Sequence, residues 1–191
     1  MPRKSKFSVS EILQMATVVF WEKGYQGTSM RDLVNATGLH PGSIYHSFGN
    51  KKQLFIEVTD HYYADLTSRI NASLSAGEAA DSILRGFFIK VLSNESAPTV
   101  RGCLLVNTLM ECSDDSDIQA HIAAMFSGFE EMFYWTLVQG QKQAVFKPNF
   151  DCRKMAKALV NDYFGLRVQS LTELPQDEIQ SLIDFRLAQL S

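Results

Sequence analysis

Apolar residues recur every three or four positions along most of this chain, the period of an α-helix with one buried face. Ser8 followed by Glu11 fits a capping box, and Ile12, Leu13, Ala16, Val19 and Phe20 then keep helical spacing until Gly24. Thr28 is placed to cap a second helix with Met30, Leu33 and Val34 inward, ending at Gly38. Pro41 suits the first position of a third helix, which runs to about Phe48 with Ile44 and Phe48 inward. Asn50 with Gln53 opens a long fourth helix through Leu54, Phe55, Val58, Tyr62, Leu66 and Ile70. Beyond Gly77 the helical period returns in residues 79–95, 102–112, 117–142, 152–172 and 176–190, with breaks at Pro98, Ser113 to Asp115, Pro148 and Pro175. No stretch alternates like a strand. The expected fold is therefore all-α with about nine helices.

Residues 28–37 and 41–48 form a short helix, a glycine-containing turn and a second short helix, the arrangement of a helix-turn-helix. If Ile44 and Phe48 face the core, the 100° step between helical residues turns Gly42, Ser43, Tyr45 and His46 outward. Small residues let that helix approach a major groove, while Tyr45 and His46 can reach phosphates or base edges. Thr28 and Ser29 offer hydroxyls and N–H groups to a second phosphate, and Lys51 is placed as a third anchor.

The charge distribution points the same way. Residues 1–55 carry seven basic and three acidic groups, a net +4, whereas the other 136 carry 11 and 18, a net −7. Such asymmetry suits a first segment that meets a polyanion and a remainder that does not.

The first helix ending FWEKGYQGTSM, followed by RDLVNATGLHPGSIYHSFGNKKQLF, resembles the DNA-binding domain of the tetracycline-repressor (TetR) family of transcriptional regulators. The shared features are a Gly-Tyr-x-x-Thr joint, a glycine-containing turn, and a reading helix that ends in an aromatic pair and Phe before a lysine. The resemblance covers under a third of the chain. It implies double-stranded DNA contacts from Thr28, Ser29, Gly42, Ser43, Tyr45, His46 and Lys51. Ser47 departs from the family, where histidine is common, and is left off that set. The resemblance also implies a two-fold dimer whose larger carboxy-terminal domain binds a small molecule that releases the DNA, and hence repression rather than activation.

The expected organisation is a helix-turn-helix domain at 1–50, a connecting helix at 51–75 and a helical effector-binding and dimerisation domain at 76–191. Two reading helices must lie roughly 34 Å apart to enter successive major grooves, so a homodimer is required for tight specific binding. Residues 152–190 are the candidate interface: Met155, Ala158, Leu159, Tyr163, Leu166 and Leu171, then Ile179, Leu182, Ile183, Phe185, Leu187 and Leu190, exceed one core-facing stripe. Bulky side chains between residues 79 and 142 suggest an adaptable cavity, with Phe87, Phe88, Asn107, Met110, Met125, Phe129, Phe133 and Tyr163 as candidate contacts for an apolar or aromatic effector. The same residues also serve as ordinary core.

Cys103, expected at a helix start beside Arg101, reads first as a small buried residue and second as a candidate thiolate sensor. Cys112 is nine positions on, about 13 Å along an unbroken helix, too far for a disulfide. The sequence holds neither a HExxH or GxSxG motif nor a phosphate-cradling glycine loop, so no catalytic residue, cofactor or metal site is expected; Asp114, Asp115 and Asp117 read as a loop and a helix cap. Three cysteines without a CxxC spacing, and apolar runs far shorter than the roughly 18 residues of a membrane span, fit a cytoplasmic chain with reduced thiols. A ligand-independent DNA-binding protein is the remaining alternative.

Overall fold

The computed structural model describes residues 8–92, 102–169, 171–172 and 175–191 and places nine α-helices, with no strand, among them. These are α1 (Val9–Gly27), α2 (Met30–Thr37), α3 (Pro41–Phe48), α4 (Lys51–Ser75), α5 (Ala80–Leu92), α6 (Leu104–Glu111), α7 (Ser116–Lys142), α8 (Cys152–Gln169) and α9 (Gln176–Ala188). The expected break at Pro98, the tail of the fifth helix beyond residue 92 and Arg101 lie outside the described residues.

Local chemistry sets most of the boundaries. The Ser8 hydroxyl accepts the Glu11 N–H at 3.2 Å while the Glu11 carboxylate accepts the Ser8 N–H at 2.7 Å, the reciprocal capping box that the sequence suggested. Gly24 has φ +74°, a conformation costly for any residue with a Cβ, and it redirects the last turn of α1. Gly38, at φ +67°, ends α2 and its N–H bonds the Val34 carbonyl. Pro41 occupies the first turn of α3, and Asn50 caps α4 by accepting the Gln53 N–H at 2.9 Å.

The second helix corrects one expectation. Its cap is Ser29, in a capping box with Asp32, and not Thr28. Thr28 instead terminates α1: its side chain is buried and its hydroxyl donates to the Gly24 carbonyl at 2.6 Å. A hydroxyl one residue nearer the glycine turn closes that turn before it can open the next helix.

The helices fall into two compact units. One contains α1, α2, α3, α4 as far as Asp65, then α6 and α7 as far as Ile122; the other contains the rest of α4, α5, the rest of α7, α8 and α9. The sequence suggested a division at 50 and 75 and grouped α6 with the carboxy-terminal helices. In the structure α6 packs on α1, where its apolar residues Leu104 and Leu105 are buried.

The first unit's core draws Ile12, Leu13, Ala16 and Phe20 from α1, Leu33 from α2, Ile44 and Phe48 from α3, and Leu54, Phe55 and Val58 from α4, all buried. The rings of Phe20 and Phe55 meet edge-on with centroids 4.8 Å apart, and Tyr25 lies 4.8 Å from Phe55. Each such side chain contributes about 1.5–3 kcal/mol by leaving water, enough to hold helices of eight residues that would not persist alone. The second unit is built on an aromatic cluster. Phe87 lies 5.3 Å from Phe133 and 5.4 Å from Tyr163, Phe129 lies 5.3 Å from Tyr163, and Phe88 stacks on Phe133 at 5.9 Å. No helix among the described residues is long and apolar enough to cross a membrane.

Candidate nucleic-acid interface

The short helix α3 is held by two side chains, Ile44 and Phe48, which are 1% and 5% exposed. With these two buried, helical geometry leaves Gly42, Ser43, Tyr45 and His46 outward, and all four are exposed, Tyr45 by 49%. The outward face of α3 is the one the helical spacing predicts. Gly42 is informative because the fold does not require it. A Cβ built there would meet nothing within 4 Å, so the small side chain clears space outside the protein, where a groove wall can approach.

The residues flanking α3 are disposed differently from the expectation. Ser29 is exposed at the start of α2, but the Thr28 hydroxyl is turned inward. Lys51 is half-buried. Its ammonium donates to the carbonyls of Tyr25 at 2.8 Å and Thr28 at 2.9 Å and sits 4.5 Å from the centre of the Tyr25 ring. It ties the first turn of α4 to the joint between α1 and α2, where the sequence suggested a phosphate anchor. Lys52 bridges Asp115 and Asp117, each at 2.8 Å, and Lys23 pairs with Asp32 at 2.5 Å. Of the basic residues from Lys23 to Lys52, only Arg31 on α2 is exposed and carries no ion pair or hydrogen bond among the described residues. Sequence reasoning counted Arg31 in the net charge without singling it out, because spacing does not reveal which cations already have partners.

The joint Gly24 to Thr28 receives charge from both sides. The Glu111 carboxylate, at the end of α6, accepts the N–H groups of Tyr25 at 2.8 Å and Gln26 at 2.7 Å, and the Gln26 side chain donates back to the Glu111 carbonyl at 3.0 Å. Asp115 accepts the Ile118 N–H at 3.1 Å, so the acidic loop is a helix cap as the sequence suggested. Among the described residues no group of three or more His, Cys, Asp or Glu side chains is placed to hold a metal.

The candidate effector contacts divide. Phe87, Phe88, Met125, Phe129, Phe133 and Tyr163 are all buried in the second unit. Asn107 and Met110 are not with them: both belong to α6 in the first unit, and both are exposed, Met110 by 78%. Their helical spacing resembled a pocket face, but α6 turns Leu104, Leu105 and Thr108 inward instead. Cys103 is 1% exposed, which denies a reagent the access that a sensor thiolate needs. Burial pushes the Cys112 and Cys152 thiols above their ordinary value, and Glu111 and Asp115 add to the effect at Cys112.

Hydrogen bonds from Lys23 and Ser29 hold the Asp32 carboxyl well below the usual carboxylate range, and Lys52 with the Ile118 N–H lowers Asp115. A carboxyl whose folded pKa lies below its unfolded value stabilises the fold at every pH above the unfolded value and loses that contribution as pH falls through the folded one. The melting temperature should therefore hold down to about pH 4 and then decline. In Asp32→Asn, thermal melts across pH 2–6 should show a shallower decline; an unchanged profile would remove Asp32 from the cause.

The matches to known proteins follow the geometry. Residues 12–58, which run from α1 into α4, match the sequence profile described as "Bacterial regulatory proteins, tetR family". The HTH-type transcriptional repressor ComR of Escherichia coli K12 is 31% identical over 160 residues, 82% of this chain and 76% of that protein. An HTH-type regulator of Bacillus subtilis, YezE, is 24% identical over the full length of both. In fold, the chain is similar to a cysteine-substituted form of the TetR family regulator CifR complexed with a 26-base-pair operator, with a TM-score of 0.84 at 23% identity over the whole of both chains. With a helix-turn-helix that is complete in its buried anchors and its exposed face, and a relative of this identity and extent, the chain belongs to the tetR family of bacterial regulatory proteins and is a DNA-binding transcriptional regulator.

Proposed function

We propose that the chain is a homodimeric repressor of the bacterial cytoplasm, released from its operator when an apolar or aromatic molecule enters the second unit. The observation that carries the DNA half of this reading is the division of α3, with Ile44 and Phe48 inside and Gly42, Ser43, Tyr45 and His46 outside. The helix lays these four in the major groove, Ser29 at the start of α2 meets a phosphate, and Arg31 supplies a long-range cation. Lys51 contributes by holding the joint, and Thr28 by closing it.

The effector half rests on the aromatic cluster of Phe87, Phe88, Phe129, Phe133 and Tyr163. Rings in mutual edge and tilted contact can part around a planar guest at little cost in contact area, and Met125, buried in the same unit, is adaptable. A guest weakens DNA binding only as far as it prefers the conformation that spaces two reading helices wrongly.

The dimer half rests on α8 and α9. Leu159, Tyr163, Ile179, Ile183, Leu187 and Leu190 are buried within the chain, yet Val168, Leu171, Leu182 and Phe185 remain 50%, 46%, 41% and 67% exposed. Leu182 and Phe185 line a groove of about 400 Å³ together with Phe88, Leu166 and Leu187. Apolar surface of this kind suits a second copy of the same helices.

Three experiments test these parts. His46→Ala should weaken binding to a selected duplex by about 1–3 kcal/mol, and Arg31→Ala should reduce the salt slope by about one, whereas Lys51→Ala should lower the melting temperature instead. Unchanged binding and slope in the first two would remove the assigned interface. Phe185→Asp should sediment as a monomer and bind the same duplex on the order of 100-fold less tightly; a dimer persisting in that variant would displace the interface elsewhere. In a thermal-shift screen of planar and lipophilic compounds, a true effector at a hundred times its Kd adds about 2.7 kcal/mol, about 5–10 °C, and should release the duplex. A screen with no such compound would favour ligand-independent DNA binding.

A further inference from the structure

We infer that Glu111 is a positioning residue for DNA binding: from the end of α6 it holds the α1–α2 joint in the conformation that presents α2 and α3. The inference rests on the DNA-binding reading above. Glu111 lies 86 residues after Tyr25 in sequence and nothing in its spacing marks it, yet its two carboxylate oxygens take two successive main-chain N–H groups of the joint. Lys51 takes two carbonyls of the same segment, so the donors and the acceptors of one turn are each held by a charged side chain from another helix.

The backbone at the joint is shaped for this carboxylate. Gly24 has φ +74°, and a Cβ there would fall 2.6 Å from one Glu111 oxygen and 2.7 Å from the other. Glycine is thus required twice, by conformation and by the approach of the carboxylate. The last turn of α6 is itself fastened. Gln119 donates to the carbonyls of Leu109 at 2.9 Å and Cys112 at 3.1 Å, and the loop that follows α6 is pinned to α4 through Lys52, Asp115 and Asp117.

Ser29 begins α2 directly after the joint, so the path of residues 24–28 decides where α2 and α3 sit on α1. Without the carboxylate, two N–H groups lose a charged acceptor and the joint samples other paths. The apparent DNA affinity then falls by the fraction of chains still correctly bent. The sign separates this from a charge effect. Removing a negative charge beside a DNA-binding surface should tighten binding to a polyanion, whereas loss of positioning weakens it.

The test uses the full chain and a duplex that wild-type protein recovers from a random-sequence pool. Glu111→Gln offers one acceptor and turns an NH₂ toward the second N–H. It should bind that duplex roughly ten-fold more weakly at an unchanged salt slope, because no phosphate contact is removed. The amide proton resonances of Tyr25 and Gln26 should move upfield in the same variant. Wild-type affinity, tighter binding, or a flattened slope would each overturn the inference. Should Glu111→Gln fail to fold, Glu111→Asp, which keeps the charge but is one methylene shorter, is read by the same three measurements with the same outcomes decisive. A wild-type chain that recovers no duplex would refute the DNA-binding reading instead, while the Tyr25 and Gln26 resonances would still report whether Glu111 holds the joint.

Discussion

The burial of Ile44 and Phe48 is the constraint on which the rest of this structure depends. A helix of eight residues has too few internal hydrogen bonds to persist alone, and tertiary contact supplies what propensity does not. Because the two anchors are four positions apart on one face, their burial also fixes the rotation of the helix about its axis. The outward set of Gly42, Ser43, Tyr45 and His46 is a consequence of that rotation. Stability and the proposed recognition are thus two faces of one packing arrangement, and a substitution that moved either anchor would rotate the exposed face with it.

A second layer of organisation is electrostatic. The amino-terminal segment is basic by count, but most of its described cations are used within the fold: Lys23 on Asp32, Lys51 on two carbonyls, Lys52 on two aspartates. Exposed pairs of this kind add little stability each, and their effect here is directional, fastening the ends of α2, α4 and α7 to their neighbours. The charge available to a polyanion is correspondingly smaller than the sequence total. In the proposed interface, direct recognition then leans on hydroxyls, the helix backbone, Tyr45, His46 and Arg31.

The second unit separates its apolar residues into two populations. The rings of Phe87, Phe129, Phe133 and Tyr163 face one another inside the unit, and the exposed Leu182 and Phe185 line the outside of α9. A helix whose apolar width exceeds one stripe can serve a core and an interface at once. α9 has that width, which is why its residues read in sequence as both.

The amino-acid sequence by itself determined the all-α class, the helix order and most helix ends, because caps, glycine turns and the helical period act over four residues or fewer. The Ser8–Glu11 box, the left-handed Gly38, Pro41 at the start of α3 and the Asn50 cap all belong to this class, as do the buried anchors of α3. The shift of the α2 cap from Thr28 to Ser29 shows the limit of that range, since two adjacent hydroxyls competed and the glycine turn chose between them. Only the tertiary structure decided that α6 packs on α1, that Asn107 and Met110 are exposed on α6, that Lys51 is held by carbonyls, and that Glu111 reaches the joint. Each of these joins residues far apart in the chain or selects one face of a short helix, and the free energy that selects them comes from burial and charge pairing between helices, which no local spacing encodes.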